Sequence, residues 1–307
     1  MAETGLDRQR IRQLTERLRV KPGSVVKLPK DLDPAFTGGL GHERADEAQA
    51  MLAQGVELLA EYQDRLAAQE MHAVLVILQG MDGAGKDSTI KHVMSGVNPQ
   101  GVDVHSFKVP STDELNHDFL WRYAQRLPPR GKIGIFNRSH YEEVLVVRVH
   151  PELLNAQHLP QKTKGPGIWR QRFDEINNWE RYLLDNGIHV VKLFLNLSRE
   201  EQRQRFLARI ERPEKNWKFT AADARERAYW NDYQRAYADV LSNTSTEWAP
   251  WYAIPADHKW FSHIAAAAII AQTLITIDPR YPTIDPKAKK ELDAARRDLL
   301  AEAPPRA

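Results

Sequence analysis

The sequence predicts an α/β fold, a three-layer sandwich in which helices cover both faces of a five-stranded, mainly parallel sheet. Five short β-branched or aromatic runs recur along the chain, and stretches of helical periodicity separate them. The first run is apolar throughout and stops at a glycine, as buried parallel strands do. Strands that alternate with helices form βαβ units, and these units place helices on both faces of the sheet.

The elements are predicted in chain order. Residues 1–20 indicate a short polar helix, the Pro/Gly-marked residues 21–41 an extended arm on the surface, and the apolar spacing over 42–70 a long helix. The predicted strands are AVLVILQG, VDVHSFKVP, KIGIFNRS, HVVKLFLNLS and WYAIPAD. Helices are predicted from residue 86 onward and over 115–127, 169–185, 199–210 and 221–241.

We expect a single domain over residues 42–286, because no internal repeat or inter-domain linker interrupts the pattern. An N-terminal arm (1–41) precedes it. A charged C-terminal tail (287–307) follows, which we expect to form a solvated helix with a frayed end.

Composition narrows the class of protein. The 307 residues include 43 basic and 41 acidic side chains, so the net charge of +2 argues against coating of nucleic acid and requires any anion site to be local. The chain has no cysteine, which excludes disulfides, thiolate metal sites and a cysteine nucleophile. The N-terminus has no signal-peptide pattern, and the longest apolar run, Ile264 to Ala271, is too short to span a bilayer. We therefore expect a cytoplasmic protein with no membrane or nucleic-acid partner.

The stretch GMDGAGKDST, residues 80–89, carries the strongest functional signal. Gly80, Gly85 and Lys86 fit the phosphate-loop pattern G-x-x-x-x-G-K, with Asp87 in place of the usual Ser or Thr. Glycines let backbone N–H groups turn inward, and the following helix adds its positive end. We expect Lys86 to face solvent and the phosphates. A chance glycine turn is the alternative, but the position between a buried strand and a helix favours phosphate binding.

Two carboxylates flank this loop. Asp82 and Asp87 would repel phosphates unless cations lie between them, which implies Mg²⁺, with Mn²⁺ as an alternative. The predicted metal ligands are Asp82, Asp87 and Glu142. Ser88 could supply the hydroxyl one position late, and Asp87 could instead be a first-turn acid that the helix dipole favours.

The third strand ends in NRSHYEE, residues 137–143. If the first and third strands are neighbours, Asn137, Arg138 and Glu142 lie beside the loop, because ligands bind at the carboxyl ends of parallel strands. Asn137 is neutral where phosphoryl-transfer enzymes often carry a metal-binding aspartate, so Glu142 would take over that role. For His140 and His150, a surface or supporting position is favoured over a metal pair, since no further ligand pattern accompanies them.

Residues 199–218 are rich in arginine and lysine. Arg205, Arg209 and Arg212 recur at i, i+4 and i+7 and so share one helix face, and Pro213 breaks the helix. A solvated helix with salt bridges is one interpretation. A mobile lid whose arginines close on phosphates is the favoured one.

These patterns define the predicted site residues. The catalytic set is Asp82, Lys86, Arg138 and Glu142. The phosphate- or nucleotide-binding set is Gly80, Gly83, Ala84, Gly85, Asp87, Ser88, Lys91, Asn137, Arg148, Arg205, Arg209, Arg212, Lys215 and Lys218.

The chain resembles the polyphosphate kinase 2 family. The matching segments include GMDGAGKDSTIK, GKIGIFNRSHYEEVLVVRVHPE, the stretch from NNWERYLLDNG to RPEKNWKF, and WYAIPADHKWF, in family order from about residue 74 to 261. The resemblance implies a Mg²⁺-dependent P-loop kinase with a helical lid, assembled as a homodimer or homotetramer. Its substrates would be inorganic polyphosphate and the nucleotides AMP, ADP and ATP, with guanine nucleotides as further candidates.

The resemblance also gives roles to residues. It implies active-site positions for Asp82, Lys86 and Arg138, and a lid for the arginines of 199–218. Where some members have Asp-Arg-Ser-Trp, this chain has Asn137-Arg138-Ser139-His140 with Glu142, and this variant resembles the branch that accepts nucleoside monophosphates as well as diphosphates. The alternatives are an ATP-dependent nucleoside monophosphate kinase of the thymidylate kinase type and a non-catalytic polyphosphate- or RNA-binding protein.

Overall fold

A computed structural model describes residues 8–39 and 45–302 of the chain. Within them one sheet contains five parallel strands in the order β2-β3-β1-β4-β5. The strands are β1 (Ala73–Gln79), β2 (Val102–Ser106), β3 (Ile133–Asn137), β4 (Ile188–Asn196) and β5 (Trp251–Pro255). The predicted α/β class and the pairing of the first strand with the third are confirmed, and the sheet is entirely rather than mainly parallel.

The described α-helices alternate with the strands. They are α1 (Arg8–Leu18), α2 (Ala45–Gln69), α3 (Lys86–Val93), α4 (Thr112–Leu115), α5 (Trp121–Ala124), α6 (Val146–Val149), α7 (Pro151–Ala156), α8 (Ile168–Asp185), α9 (Arg199–Glu211), α10 (Ala221–Glu226), α11 (Trp230–Thr244), α12 (Lys259–Ile277) and α13 (Pro286–Ala301). Short 3₁₀ helices include His140–Val144 and Pro213–Lys218.

The two faces of the sheet are buried in separate cores. Alternate residues of β1 point to opposite faces, as the pleat requires. Val74 and Val76 pack in the core with α2 and α12, whereas Leu75 and Ile77 pack in the core with α8 and α11. This three-layer arrangement fixes the carboxyl edge of the strands, where the loops converge.

Helix α12 has 19 residues and, by length and composition alone, could cross a membrane. The apolar run Ile264 to Ala271 is only the central part of this helix, so the length predicted from that run was too short. Two-thirds of the helix is buried inside the fold, where its alanines let it pack closely against α2 and the sheet. Burial in the core accounts for its apolar sequence.

Two predicted helices are interrupted. The helix predicted over 115–127 is instead α4 and α5, because the Asp118 carboxylate accepts a hydrogen bond from the Leu120 amide at 2.9 Å and starts a new turn. The helix predicted over 221–241 is α10, a 3₁₀ turn at Arg227–Tyr229 and α11.

The N-terminal arm is more than a surface strand. The Val20 amide donates to the Trp251 carbonyl at 2.8 Å, and the side chain of Val20 is buried beside β5. Further on, the Leu32 carbonyl accepts from Asn196 Nδ2 at 3.0 Å. The arm therefore covers the edge strand and crosses the carboxyl ends of β4 and β5. Residues 1–7, 40–44 and 303–307 lie outside the described parts, and the predicted domain boundaries stay a prediction.

Candidate active site

The loop between β1 and α3 has the shape of a phosphate cradle. A Cβ atom at Gly80 would lie 2.8 Å from the Leu195 carbonyl oxygen, so glycine alone fits this close approach to β4. Gly85 has a φ of +105°, in the left-handed region that glycine adopts without strain, and it directly precedes α3. The predicted strand–loop–helix context is present, while phosphate binding by Gly83 and Ala84 stays a prediction.

Lys86 is buried rather than solvent-facing, with 9% of its surface exposed. Its Nζ donates to the Gly80 carbonyl at 2.7 Å and lies 4.0 Å from Oδ1 of Asp82. Burial, reinforced by the Arg138 cation, lowers the pKa of Lys86 below its ordinary value. The side chain folds back over its own loop because the carbonyls there satisfy a desolvated ammonium. The prediction of a solvent-facing lysine was wrong, but its charge does lie at the loop.

Arg138 joins two of the predicted carboxylates. Its Nη2 lies 2.6 Å from Asp82 Oδ1, and its Nη1 lies 3.3 Å from Glu142 Oε2. Burial raises the pKa of Asp82, but the Lys86 and Arg138 cations outweigh it and bring that pKa below its ordinary value. The Glu142 carboxylate in turn raises the pKa of Arg138. The four predicted catalytic residues therefore meet at one place, on the loop and on the segment after β3.

The backbone of Arg138 is strained. Its φ is +64°, a conformation that non-glycine residues seldom adopt. The amide of Arg138 donates to the Leu78 carbonyl at 3.1 Å, and the buried Ser139 hydroxyl accepts from Gln79 Nε2 at 3.1 Å. These bonds between β1 and the segment after β3 hold the turn that lets the guanidinium reach Asp82.

Asn137 and Asp87 form a second contact across the loop. Asn137 ends β3 opposite Leu78 of β1, and its Nδ2 donates to Asp87 Oδ1 at 2.7 Å. Asp87 thus brings a carboxylate to the strand end where Asn137 is neutral. Ser88, one residue later, has its Oγ 3.1 Å from Nε2 of His263 on α12.

A divalent cation fits these residues only in combination with substrate oxygens. Among the described residues, no group of three or more His, Cys, Asp or Glu side chains is arranged to hold a metal ion. Asp82 and Glu142 both bind Arg138, whereas Asp87 is exposed and offers one oxygen to Asn137. Mg²⁺ typically takes one or two carboxylates together with phosphate oxygens and waters, so a site centred on Asp87 is chemically reasonable.

Arg205 is not part of an exposed arginine face. The side chain is buried and donates through Nη1 to the carbonyls of Gly83 and Ala84, at 2.9 and 3.1 Å. Through Nη2 it donates to the carbonyls of Ala256 and Asp257, at 2.6 and 3.1 Å. The prediction of three equivalent lid arginines is therefore wrong. Arg205 ties the phosphate loop to α9 and to the start of α12, because its planar fork can serve several carbonyls at once.

The other predicted lid cations differ from Arg205. Arg209 is half-buried with its guanidinium 5.4 Å from the Phe206 ring, and Arg212 is exposed where α9 ends before Pro213. The Arg209 charge contributes to the lowered pKa of Asp82, so it lies on the loop side of the helix. Lys215 is half-buried in the 3₁₀ turn, and the side chain of Lys218 lies outside the described part.

Two predicted phosphate ligands are not brought to the site. Lys91 is exposed on the second turn of α3. Arg148 is paired with Asp239 of α11 and so serves the packing of α6 on that helix. The spacing of basic residues along a helix does not show which of them bind phosphate and which are exposed or paired with a carboxylate.

His140 and His150, the two histidines considered from the sequence, have different environments. His140 is fully buried, 3.5 Å from Glu180, so the surface interpretation was wrong for it. The Nε2 of His150 lies 2.7 Å from Glu226 Oε1, whose carboxylate accepts the hydrogen bond, and His150 thereby supports the wall of the site.

The sequence analysis missed residues of α9, α10 and α11. Gln202 Nε2 donates to the Asp82 carbonyl at 2.7 Å, and Arg227 Nη1 donates to Gln202 Oε1 at 2.6 Å. A narrow crevice of about 30 Å³ beside Asp82 and Arg138 is lined in addition by Glu142, Gln202, Asp223, Glu226, Arg227, Tyr233 and Tyr237. No local motif marks these residues, which come together only because α10 and α11 fold back over the loop.

Comparisons with known proteins agree with this geometry. The family described as "Polyphosphate kinase 2 (PPK2)" matches residues 42–281. An ADP-polyphosphate phosphotransferase of Rhodopseudomonas palustris is 49% identical over 290 residues, covering 93% of this chain and 98% of the relative. An AMP/ADP-polyphosphate phosphotransferase of Meiothermus ruber is 43% identical, covering 90% of this chain and 98% of the relative.

A solved structure resembles the whole fold. The crystal structure of polyphosphate kinase 2 from Arthrobacter aurescens TC1 superposes with a TM-score of 0.83 at 36% identity, covering 98% of this chain and 99% of that one. The family match over residues 42–281 includes the loop, the segment after β3 and α9.

Proposed function

The chain belongs to the polyphosphate kinase 2 family, and on that premise we propose how its site transfers phosphate and which acceptors it takes. The protein is a kinase that phosphorylates nucleotides at the expense of inorganic polyphosphate. One observation carries the assignment of the site: the buried Lys86 and the Asp82–Arg138–Glu142 cluster meet at the phosphate loop. Such a concentration of charges suits substrates that both carry phosphate.

The proposed reaction is a direct phosphoryl transfer. A terminal phosphate oxygen of ADP bonds to the end phosphorus of the polyphosphate chain while the bond from that phosphorus to its bridging oxygen breaks. ATP and a chain shorter by one phosphate leave, and we expect the reaction to be reversible. The acceptor oxygen is already ionised at neutral pH, so no strong base is needed, and the neutral Asn137 could not act as one.

Catalysis then rests on position and charge. Lys86 and Arg138 balance the negative charge on the transferred group, and the loop N–H groups orient it. The strained turn at Arg138 and the Arg205 bridge hold these donors in place before substrate binds. Mg²⁺, or Mn²⁺ as an alternative, would neutralise phosphate oxygens when bound. Asp87 is its best-placed ligand, with Asp82 and Glu142 as the other candidates.

We further propose that AMP is an acceptor as well as ADP. Asn137 is neutral at the strand end, while Asp87 contacts its amide and Glu142 contacts the neighbouring Arg138. A shorter acceptor would need a cation closer to its single phosphate, and these carboxylates can hold one there. The name of the Meiothermus ruber relative, an AMP/ADP-polyphosphate phosphotransferase, supports the same range.

The test is an assay of purified protein with polyphosphate and Mg²⁺ and no ATP. AMP, ADP, GMP and GDP are supplied separately, and products are resolved by anion exchange. We expect ATP from ADP, and ADP followed by ATP from AMP. Products that form only when ATP is the donor would instead indicate a nucleoside monophosphate kinase.

The acceptor proposal has its own variant. Glu142→Gln should slow the AMP step more than the ADP step, since it removes a carboxylate proposed to hold the cation for the shorter acceptor. Its control is the parent assayed with both nucleotides at saturating polyphosphate. If the parent phosphorylates ADP and never AMP, the acceptor range is wrong while the polyphosphate kinase activity stands.

A cytoplasmic location and assembly into a homodimer or homotetramer also stay proposals. The burial of the apolar helix α12 inside the fold is compatible with the first. The second rests on the family resemblance alone and is tested by light scattering of the purified protein.

A further inference from the structure

Gln202 is a buried, uncharged residue on the side of α9 that packs against the phosphate loop. Only 2% of its surface is exposed. Its Nε2 donates to the Asp82 carbonyl at 2.7 Å, and a Cβ atom at Gly83 would lie 3.5 Å from its Cγ and 3.1 Å from Phe206 Cε1. Because a buried amide is unfavourable unless both of its ends are hydrogen-bonded, the partners of Gln202 decide what the residue does.

Partners on two sides fix the orientation of this amide. Arg227, in the 3₁₀ turn between α10 and α11, donates through Nη1 to Gln202 Oε1 at 2.6 Å. The same Nη1 lies 3.1 Å from the Arg199 carbonyl, which holds the guanidinium against the first turn of α9. A guanidinium can only donate and a carbonyl can only accept, so one orientation of the amide satisfies both neighbours. A chain of hydrogen bonds therefore runs from Arg227 through Gln202 to the Asp82 carbonyl.

Three consecutive carbonyls of the phosphate loop face α9. Gln202 holds the first of them, and Arg205 holds the next two through Nη1, at 2.9 and 3.1 Å. The peptide bonds of this segment are trans, so each C=O points opposite to the N–H group of the residue that follows it. The N–H groups of residues 83–85 are therefore directed away from α9, and the direction of the Gly83 N–H depends on Gln202.

We propose that Gln202 is a positioning residue for phosphoryl transfer: it holds the Asp82 carbonyl so that the Gly83 N–H points at the transferred phosphate. The inference rests on the proposed function, in which N–H groups of the loop orient that phosphate. The same bond sets the backbone of Asp82, whose carboxylate lies 2.6 Å from Arg138. One neutral amide thus aligns an N–H donor and a guanidinium, and donors aligned before the reaction stabilise developing charge most effectively. Arg227 contributes by keeping the amide in its working orientation.

A variant without the amide tests the assignment. Gln202→Met removes both hydrogen bonds and keeps a side chain of similar length against Phe206. We expect kcat for ATP formation from ADP and polyphosphate to fall on the order of 10- to 100-fold, as a misaligned donor implies. The KM for each substrate should stay within about twofold of the parent's, since alignment matters most in the transition state.

The matched control is Gln204→Met, because Gln204 is exposed on the same helix and its Nε2 donates to Glu200, away from the loop. Its kcat should equal the parent's. A folded Gln202→Met protein with parental kcat, or an equal fall in the control, would overturn the inference.

The contribution of Arg227 is tested by a double-mutant cycle. Arg227→Met leaves the amide free to turn, so kcat should fall about tenfold, whereas Arg227→Lys keeps a donor for Gln202 Oε1 and should recover part of that loss. In the Gln202→Met background, Arg227→Met should lower kcat further by less than about twofold, because the chain of hydrogen bonds is already broken. Losses that multiply in the double variant would overturn the link through Arg227.

A second measurement needs no activity and separates this inference from the proposed function. The Ala84 N–H donates to the Met81 carbonyl at 3.0 Å, so its hydrogen exchange reports on the closure of the loop. Without substrate, Gln202→Met should exchange several-fold faster in a peptide that covers residues 80–86 and unchanged in one that covers β3. Unchanged exchange in the loop would overturn the positioning role even if kcat falls. If the parent transfers no phosphate from polyphosphate to any nucleotide, the proposed function fails, and the exchange still decides whether Gln202 holds the loop.

Discussion

Two buried lysines, Lys86 at the phosphate loop and Lys192 in the core, show how the same charge can serve catalysis or packing. Lys192 Nζ lies 2.6 Å from Glu180 Oε2, 2.6 Å from the Thr244 carbonyl and 3.0 Å from Tyr141 Oη. An ammonium has three donors, so this network uses all of them. Lys86 instead donates to backbone carbonyls, and its Nζ lies 4.0 Å from the Asp82 carboxylate.

The difference lies in what compensates the charge. Lys192 and Glu180 are both fully buried, and the Lys192 ammonium holds the pKa of Glu180 below its ordinary value in spite of burial. Lys86 shares its nearest carboxylate, Asp82, with Arg138, so no carboxylate is paired with Lys86 alone. A closed buried pair is sensitive to the loss of either partner, whereas the Lys86 ammonium is free of an exclusive pair and can interact with a substrate anion.

The largest expected effect comes from breaking the closed pair. Glu180→Gln should reduce the free energy of unfolding by about 3–5 kcal/mol, because it leaves Lys192 as an uncompensated buried charge. Urea unfolding followed by circular dichroism measures this loss. We expect turnover per folded molecule to stay at the parent's level, and Glu180→Leu combined with Lys192→Met to recover part of the stability. A Glu180→Gln protein as stable as the parent would contradict the comparison.

Lys86 should show the reverse pattern. Lys86→Met keeps the buried stem but removes the charge, so turnover should fall on the order of 10²-fold or more while the fold survives. The assay is ATP formation from ADP and polyphosphate, with circular dichroism as the check of folding. Near-parental turnover in the folded variant would remove Lys86 from the active site.

Two variants within α9 test the same contrast between a buried structural charge and a charge that acts on the substrate. Arg205→Met should reduce the free energy of unfolding by about 2 kcal/mol or more, since it leaves carbonyls of the loop and of the segment before α12 without their hydrogen-bond donor. Arg212→Ala should leave stability within about 0.5 kcal/mol because its side chain is exposed. Arg212→Ala should instead lower turnover and weaken the inhibition of the enzyme by salt. Equal losses of stability in both variants would mean that Arg212, too, is structural.

The smallest effect expected at neutral pH concerns the histidine behind the loop. Burial lowers the pKa of His263 to about 4, below its value in an unfolded chain. A depressed histidine pKa means that the unfolded state binds more protons, so stability is complete above about pH 6.5 and declines as the pH falls toward 4. His189 shows the same depression, to about 4, and contributes to the same decline.

The measurement is the urea midpoint between pH 4 and 7. His263→Gln should flatten part of the slope, because glutamine keeps a polar partner for Ser88 without titrating in this range. His189→Gln should flatten a further part of the slope for the same reason, at a position away from the loop. A slope unchanged by both variants would show that other groups cause it.

The sequence by itself determined the fold class and the centre of the site. Parallel buried strands are apolar throughout and phosphate loops need glycine at fixed places, so both leave a local pattern. Asn137, Arg138 and Glu142 could be placed beside the loop because the end of one strand was recognisable and only its neighbour had to be assumed.

Tertiary structure decided the partner of each charge. Arg205, Arg209 and Arg212 share one helical spacing, but Arg205 is buried against the carbonyls of the loop whereas Arg212 is exposed. Arg148 pairs with Asp239 on a helix that is distant in sequence. Lys86 turned inward to the carbonyls of its own loop. The residues next to a charged side chain in the sequence do not indicate its partner, because burial and pairing depend on groups that the chain brings together only when it folds.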